Sequence, residues 1–137
     1  MTKYFIIVAS KDHVQVGKKN GVAQAGHGRK DLVSKLSKGD WIVYYAAKDK
    51  LEEGKPYQKF VAICQVADDE PHQPDVNSGF KPFRRTVRYI ETGEAEIRPL
   101  LEKLSFIKNK KRWGFYLIAG FREITKEDFT VIKNAMK

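Results

Sequence analysis

What this chain lacks narrows it first. Its 137 residues hold one cysteine, Cys64, and three histidines, His13, His27 and His72. A single thiol permits no intrachain disulfide, and one cysteine with three scattered imidazoles completes no zinc-ligand spacing, so neither a disulfide scaffold nor a bound metal is expected. Long apolar runs are missing as well. The stretch Tyr4 to Ala9 is bracketed by Lys3 and Lys11, too short for a membrane span or a secretory leader, and a cytoplasmic protein with no membrane contact is expected. The patterns GxGxxG, GxxxxGK[ST] and GxSxG do not occur, which removes the dinucleotide fingerprint, the P-loop and the nucleophile elbow. Internal repeats and low-complexity tracts are absent too.

What is present fits one packed unit. Hydrophobic residues make up 42%, aromatics 12% and charged residues 31%, enough to fill an interior and to solvate an exterior, so a single domain over 1–137 is expected. Cys64 sits inside the apolar run Phe60 to Val66 and reads as a small buried hydrophobe. The net charge is +9. Met1 to Asp40 carries eight basic against three acidic residues, Trp41 to Glu70 four against six, Pro71 to Trp113 ten against five, and the remainder four against three. Two positive blocks therefore flank a slightly negative one. A polyanion is a reasonable partner for such a chain, although a basic solvated face explains the charge equally well.

Short runs rich in β-branched and aromatic residues predict strands at Tyr4 to Ala9, Trp41 to Ala47, Phe60 to Ala67, Arg85 to Glu91 and Gly114 to Ile118. Leu32 and Leu36, four apart, predict a short helix over Lys30 to Ser37. A further small helix follows the first strand, with Ser10 or Asp12 as its N-cap and Gly17 limiting its length. Thr125 and Asp128 form a capping-box pattern, and Phe129, Ile132 and Met136 recur on one face of the helix that follows. Asp49 to Pro56 is a charged hairpin tip. Asp68 to Phe83 is an aperiodic excursion ending in Phe80-Lys81-Pro82-Phe83-Arg84-Arg85, longer than the idle loops of compact domains, and it is expected to fold over a site. Together these elements predict an α+β protein: a curved sheet or small barrel of five to six mostly antiparallel strands, with helices after strand one and at the C-terminus.

Two segments carry candidate chemistry. Gly17, Gly21, Gly26 and Gly28 punctuate the chain before Lys30; such a stretch either forms ordinary turns or makes a backbone wall against a planar ligand, with His27 oriented between two glycines. His13 and His27 could serve as acid or base, but no Ser, Cys or carboxylate lies at a telling spacing. On the second strand, Trp41, Val43 and Tyr45 share one side and Ile42, Tyr44 and Ala46 the other, so one tyrosine should point away from the core, and the pair could line a slot where a base stacks. Trp41 reads as barrel packing. Trp113 follows Lys108-Asn109-Lys110-Lys111-Arg112, an interleaving of cations and an aromatic that suits phosphate contacts beside a stacking surface, or a solvated loop anchored by its Trp.

The run His27-Gly28-Arg29-Lys30, then Gly39-Asp40-Trp41-Ile42-Val43-Tyr44-Tyr45, Asp69-Glu70-Pro71, Pro82-Phe83-Arg84-Arg85, Leu104-Ser105-Phe106-Ile107 and Trp113-Gly114 resembles the EVE domain, also called the UPF0310 family, across essentially the whole chain. The resemblance implies a PUA-like small curved β-barrel and a non-enzymatic nucleic-acid-binding module that reads a modified base in RNA or DNA, flipped from its strand into a pocket between barrel and loops. It places that pocket at Ser10 and His13, at Gln24 and the Gly26-His27-Gly28 turn, at Tyr44 and Tyr45, and at Phe83, with Trp113 as a further member. Lys30, Arg84 and Arg85 are implied phosphate contacts, joined by Lys110, Lys111 and Arg112. Gln24 could read a base edge, while Tyr45 or Trp113 could stack on the base. No cofactor is expected, and a monomer is assumed. The alternatives are a small enzyme acting on a nucleoside or other planar metabolite through His13 and His27, and a protein-binding adaptor using the acidic hairpin around Asp49 to Glu53.

Overall fold

The computed structural model describes residues 1–73 and 82–137; the middle of the Asp68 to Phe83 excursion, with Phe80 and Lys81, lies outside them. Among the described residues the strands are β1 (Tyr4–Val8), β2 (Val22–Ala23), β3 (Trp41–Lys48), β4 (Pro56–Val66), β5 (Arg85–Ile90), β6 (Ala95–Glu96) and β7 (Phe121–Ile124). They form one curled sheet in the order β2-β5-β4-β3-β1-β7, with β6 also on β4. All pairings are antiparallel except β1 with β3. No helix among the described residues is long and apolar enough to cross a membrane.

The parallel pair needs a crossover, which α1 (Lys11–Asn20), β2 and the short α2 (Lys30–Val33) supply. Its register is pinned by Asp40, which is buried and accepts from the backbone N–H of Lys3 (2.9 Å) and of Ser37 (2.8 Å), fastening the start of β3 to that of β1. Ser10 is the N-cap residue of α1, but Gly17 does not stop the helix. Instead Gly21, at φ 68°, ends it, and Gly17 allows close contact: a Cβ there would lie 2.8 Å from the Val22 carbonyl oxygen. The helix expected over Lys30 to Ser37 stops at Val33, because the Arg85 guanidinium takes the Val33 and Leu36 carbonyls. Half of the capping box forms: the Asp128 N–H donates to the Thr125 hydroxyl at 3.1 Å and opens α3 (Lys126–Ala135), while the Asp128 carboxylate accepts from the Ser105 N–H (2.9 Å) and hydroxyl (2.7 Å).

Gly114 to Ile118 is not a strand. A 3-10 helix kinked at Arg112, whose φ of −111° and ψ of 39° are not helical, runs over Lys110–Leu117, started by the Asn109 side chain, which accepts from the N–H groups of Lys111 and Arg112. A second 3-10 helix covers Arg98–Lys103.

The sheet buries both faces. Ile6, Val43, Tyr45, Phe60 and Ile63 meet α3 and the 3-10 helices, where Phe129, Ile132, Met136, Leu104 and Ile107 close the interior. Phe5, Ile7, Ile42, Tyr44, Ala62 and Cys64 meet α1, β2 and α2. Both tyrosines are therefore buried, at 3% and 2% exposure, and the expectation that one points away from a core is corrected. With two cores, each neighbour on β3 finds its own.

Candidate nucleic-acid interface

A cavity of about 590 Å³ opens on the α1 side. Its floor is built from strand tyrosines. The Tyr44 hydroxyl donates to the Gln24 carbonyl at 2.9 Å and accepts from the Gln24 N–H at 3.1 Å, while the Tyr89 hydroxyl donates to the Val22 carbonyl at 2.9 Å. Burial pushes the Tyr44, Tyr89 and Cys64 groups well above their ordinary pKa values, so floor and underlying thiol stay neutral. A neutral floor tied to backbone offers shape and dipoles, not a nucleophile.

The walls are α1 and the glycine turn. His27 stands at φ 60° between Gly26 at 57° and Gly28 at 90°, three left-handed residues in a row, which only short-side-chain or glycine positions accept without strain. The turn is clamped: a Cβ on Gly28 would sit 2.3 Å from that of Pro82, and the Phe83 N–H donates to the Gly28 carbonyl at 3.0 Å. Its own amides face inward, since both Gly28 and Arg29 donate to the Ala25 carbonyl, so the turn is a wall and not an amide cradle for phosphate. His13 and His27 face one another edge-on with ring centroids 6.1 Å apart, and both are exposed.

Polar groups reach the cleft from three sides. Ser10 donates its hydroxyl to Asp12 at 2.5 Å; that bond, helped by the His13 N–H and opposed by slight burial, holds the Asp12 carboxyl below its usual range. The Gln24 amide lines the cavity and, among the described residues, meets no side-chain or backbone partner. Arg84 also lines it, and its Nε is buried with no hydrogen-bond partner among the described residues. Lys48 and Lys50 stand on the rim, beside exposed Val16 and Leu51.

The structure thus gathers Ser10, His13, Gln24, Gly26, His27, Tyr44 and Arg84 around one cavity, with Gly28 and Phe83 directly behind the turn. Phe83 packs under Lys30, whose Nζ is 5.3 Å from the ring centre. Four expectations are corrected. Tyr45 points to the opposite face, against Phe60, and lines a second cavity of about 300 Å³ together with Trp113, Gly114, Leu117 and Ile118; strand alternation puts neighbours on opposite sides. Trp113 is therefore outside the Tyr44 cleft. Arg85 is fully buried and spends its guanidinium on the Val33, Leu36 and Asp68 carbonyls and on the Asp68 carboxylate at 2.6 Å, so it cannot face a phosphate. The Lys110 ammonium is occupied by the Leu104 and Ile107 carbonyls, while Lys111 and Arg112 remain exposed.

Tyr89 was missed. Alternation along β5 puts it on the side of Arg85 and Val87, and its pairing with Cys64 sets it beside Tyr44; the same period-two argument applied to Tyr44 would have found it.

The family model of the EVE domain matches residues 3–135. A UPF0310 protein of Mycolicibacterium vanbaalenii is 45% identical over 132 residues, spanning 96% of this chain and 91% of the relative. The UPF0310 protein YdcG of Bacillus subtilis is 34% identical over 135 residues, spanning 98% and 92%. Among solved structures, the YTH domain of the Zygosaccharomyces rouxii MRB1 protein in complex with N6-methyladenosine RNA superposes with a TM-score of 0.63 at 14% identity, covering 99% of this chain and 88% of that one. Rpa0253 of Rhodopseudomonas palustris gives a TM-score of 0.61 at 13% identity, covering 98% and 93%. At such identities the likeness is one of fold, the PUA-like curled sheet shared with YTH domains. A family match over nearly the whole length, with close curated relatives of the same extent, places the chain in the EVE domain (UPF0310) family.

Proposed function

We propose that the protein is a nucleic-acid-binding module that receives one modified base, extruded from a single strand, in the cleft above Tyr44 and Tyr89, and performs no chemistry on it. The observation that carries this reading is the pairing of an open cavity of about 590 Å³ with the unpartnered buried Nε of Arg84. A buried donor left unsatisfied costs about 1–3 kcal/mol, which a ligand acceptor recovers on binding. A base offers such an acceptor on its edge and flat apolar faces for Val14, Val16 and Leu51. Gln24 has an amide that can donate and accept toward the same edge. Lys48 and Lys50 on the rim, with Lys30 nearby, suit the flanking phosphates. The YTH neighbour solved with N6-methyladenosine RNA supports the same use of this fold.

An enzyme built on His13 and His27 has less support. Among the described residues neither ring has a hydrogen-bond partner to orient it, the Asp12 carboxylate is taken by Ser10 and by the His13 backbone, and the floor hydroxyls are held neutral; nucleophile, base and orienting group do not line up.

The test is fluorescence anisotropy with uridine- or thymidine-flanked 12-mers of single-stranded RNA and DNA, carrying a central adenine, N6-methyladenine, cytosine or 5-methylcytosine, across a salt series. One modified base should bind at least about tenfold tighter than its unmodified twin, with affinity falling as salt rises, and Arg84→Met should erase most of that preference. Equal, salt-independent binding of every 12-mer would overturn the reading.

A further inference from the structure

Among the described residues five large hydrophobic side chains are strongly exposed: Met1, Val16, Leu51, Phe115 and Ile118. Val16 and Leu51 rim the cleft discussed above. Phe115 and Ile118, at 69% and 78% exposure, stand elsewhere, on and just after the 3-10 helix that carries Trp113. Their exposure does not come from a loose segment. Asn109 caps that helix, the Asn109 N–H donates to the Tyr116 hydroxyl at 2.9 Å, and Lys110 ties it to the Leu104 and Ile107 carbonyls. A pinned helix is holding apolar side chains in water.

Beside Ile118 lies the second cavity, of about 300 Å³, between Tyr45 and Gln58 on the sheet and Trp113, Leu117 and Ile118. Trp113 is half-buried, and the Arg98 guanidinium is 5.3 Å from its ring centre. The Arg98 Nε–H donates to the Gln58 carbonyl oxygen of the side chain at 3.2 Å, which leaves the Gln58 NH₂ free to donate into the slot. Lys111 and Arg112, exposed on the same helix, make no ion pair among the described residues. Val8 and Ala47, near the ends of the parallel strands β1 and β3, line both this cavity and the first. The two openings lie on opposite faces of one sheet end and share that pair of residues.

We propose that the second slot takes a further, unpaired nucleobase of the same strand, so that the strand wraps the sheet end over Val8 and Ala47 with Lys111 and Arg112 on its phosphates. The inference rests on the reading that the first cleft holds an extruded base. Flat apolar surface beside unpaired cations suits a base and its phosphate together, whereas a purely apolar partner would leave the cations without a role. The shared border of Val8 and Ala47 sets the two openings side by side at one sheet end, which selects the same strand as the occupant.

The chain has two tryptophans, so in a Trp41→Phe protein the fluorescence of Trp113 reports this slot alone. The probes are the uridine-flanked RNA 12-mer with central N6-methyladenosine, the corresponding 5-methylcytidine 12-mer, and the two free nucleosides; a second set carries 5-iodouridine next to the central base for photocrosslinking. The 12-mers should quench Trp113 and crosslink within residues 110–118, while the free nucleosides do neither. Trp113→Ala and, as a variant on a strongly exposed position at the slot's edge, Ile118→Ser should each weaken 12-mer binding by up to about tenfold and leave nucleoside binding unchanged. If 12-mers bind and respond to Arg84→Met while Trp113 stays unquenched and both slot variants bind normally, the second site is overturned and the first reading stands. Quenching by free nucleoside would move the modified base into this slot and overturn the two-site arrangement. Failure of any 12-mer to bind would overturn both readings.

Discussion

The two faces of the sheet are filled in different ways. Against α3, side chains of Phe60, Ile63, Phe129, Ile132 and Met136 meet one another directly, and a smaller cavity of about 300 Å³ remains beside Tyr45 and Trp113 at the sheet end. Against α1 and β2, the same strands present Tyr44, Tyr89 and Arg85, each spending its polar atoms on backbone carbonyls or amides, and a cleft of about 590 Å³ survives beside them. Dispersion pulls an all-apolar interior shut. A hydroxyl or guanidinium bonded to a fixed backbone atom cannot slide inward without losing that bond, so polar ties act as struts.

The largest test of this contrast removes the strongest strut. Arg85→Met leaves the Val33, Leu36 and Asp68 acceptors unpaired in the interior and should cost about 3–5 kcal/mol in urea unfolding. Hydrogen exchange should show α2, β2 and β5 loosening before α3. A loss under about 1 kcal/mol would break the strut account.

On the α3 face the cost should come from a newly opened cavity alone. Ile132 is fully buried, and Ile132→Ala should lose about 2–4 kcal/mol while 12-mer binding, measured on the folded fraction, stays unchanged. A binding defect at wild-type helix content would mean that the two faces are coupled.

Much of this contrast was legible in the sequence. The four long strands, the capped α3 with its Phe129, Ile132 and Met136 face, and the opposite placement of Tyr44 and Tyr45 follow from period-two and period-3.6 patterning. Arg85 was not legible. Arginine is ordinarily exposed, and its burial is explained by the Val33 and Leu36 carbonyls, some fifty residues earlier, together with Asp68. The run Gly114 to Ile118 misled because a short apolar stretch reads equally as strand or tight helix, and the deciding cap, Asn109, lies five residues upstream. The strand Phe121–Ile124 was missed because Arg122 and Glu123 interrupt its apolar pattern. Most members of the cleft could be named, but not the division of aromatic residues between two cavities, since that depends on which face the later helices cover.

A single hydroxyl sharpens the comparison further. Tyr44→Phe keeps the ring but leaves the Gln24 N–H and carbonyl without their partner, which should cost about 1–2 kcal/mol. Because Gln24 is then no longer held, binding of the preferred 12-mer should weaken by more than the stability loss alone explains. The matching change on the α3 side, Tyr45→Phe, should alter first-cleft binding little: burial pushes the Tyr45 hydroxyl up to about 12, and that hydroxyl meets no backbone group among the described residues.

The smallest effect concerns acid. Burial alone would raise the Asp68 pKa, but the Thr86 N–H at 2.8 Å, the Arg85 guanidinium and the nearby His72 outweigh it and hold the carboxyl below its ordinary value of 3.8. Asp12 is likewise held low, chiefly by Ser10. A carboxyl with a lowered folded pKa stabilises the protein fully above its unfolded value and loses that contribution as pH falls through the folded one. Both groups serve the cleft side. Between about pH 4 and pH 2, hydrogen exchange should therefore rise first in β2, β5 and the start of α1, with α3 still protected. The shift should be modest, since both carboxyls are partly exposed, and Asp68→Asn should flatten part of the acid slope while lowering stability at pH 7. If α3 opens first on acidification, the cleft side is not the one held by charge, and the polar struts count for less than the geometry of their bonds implies.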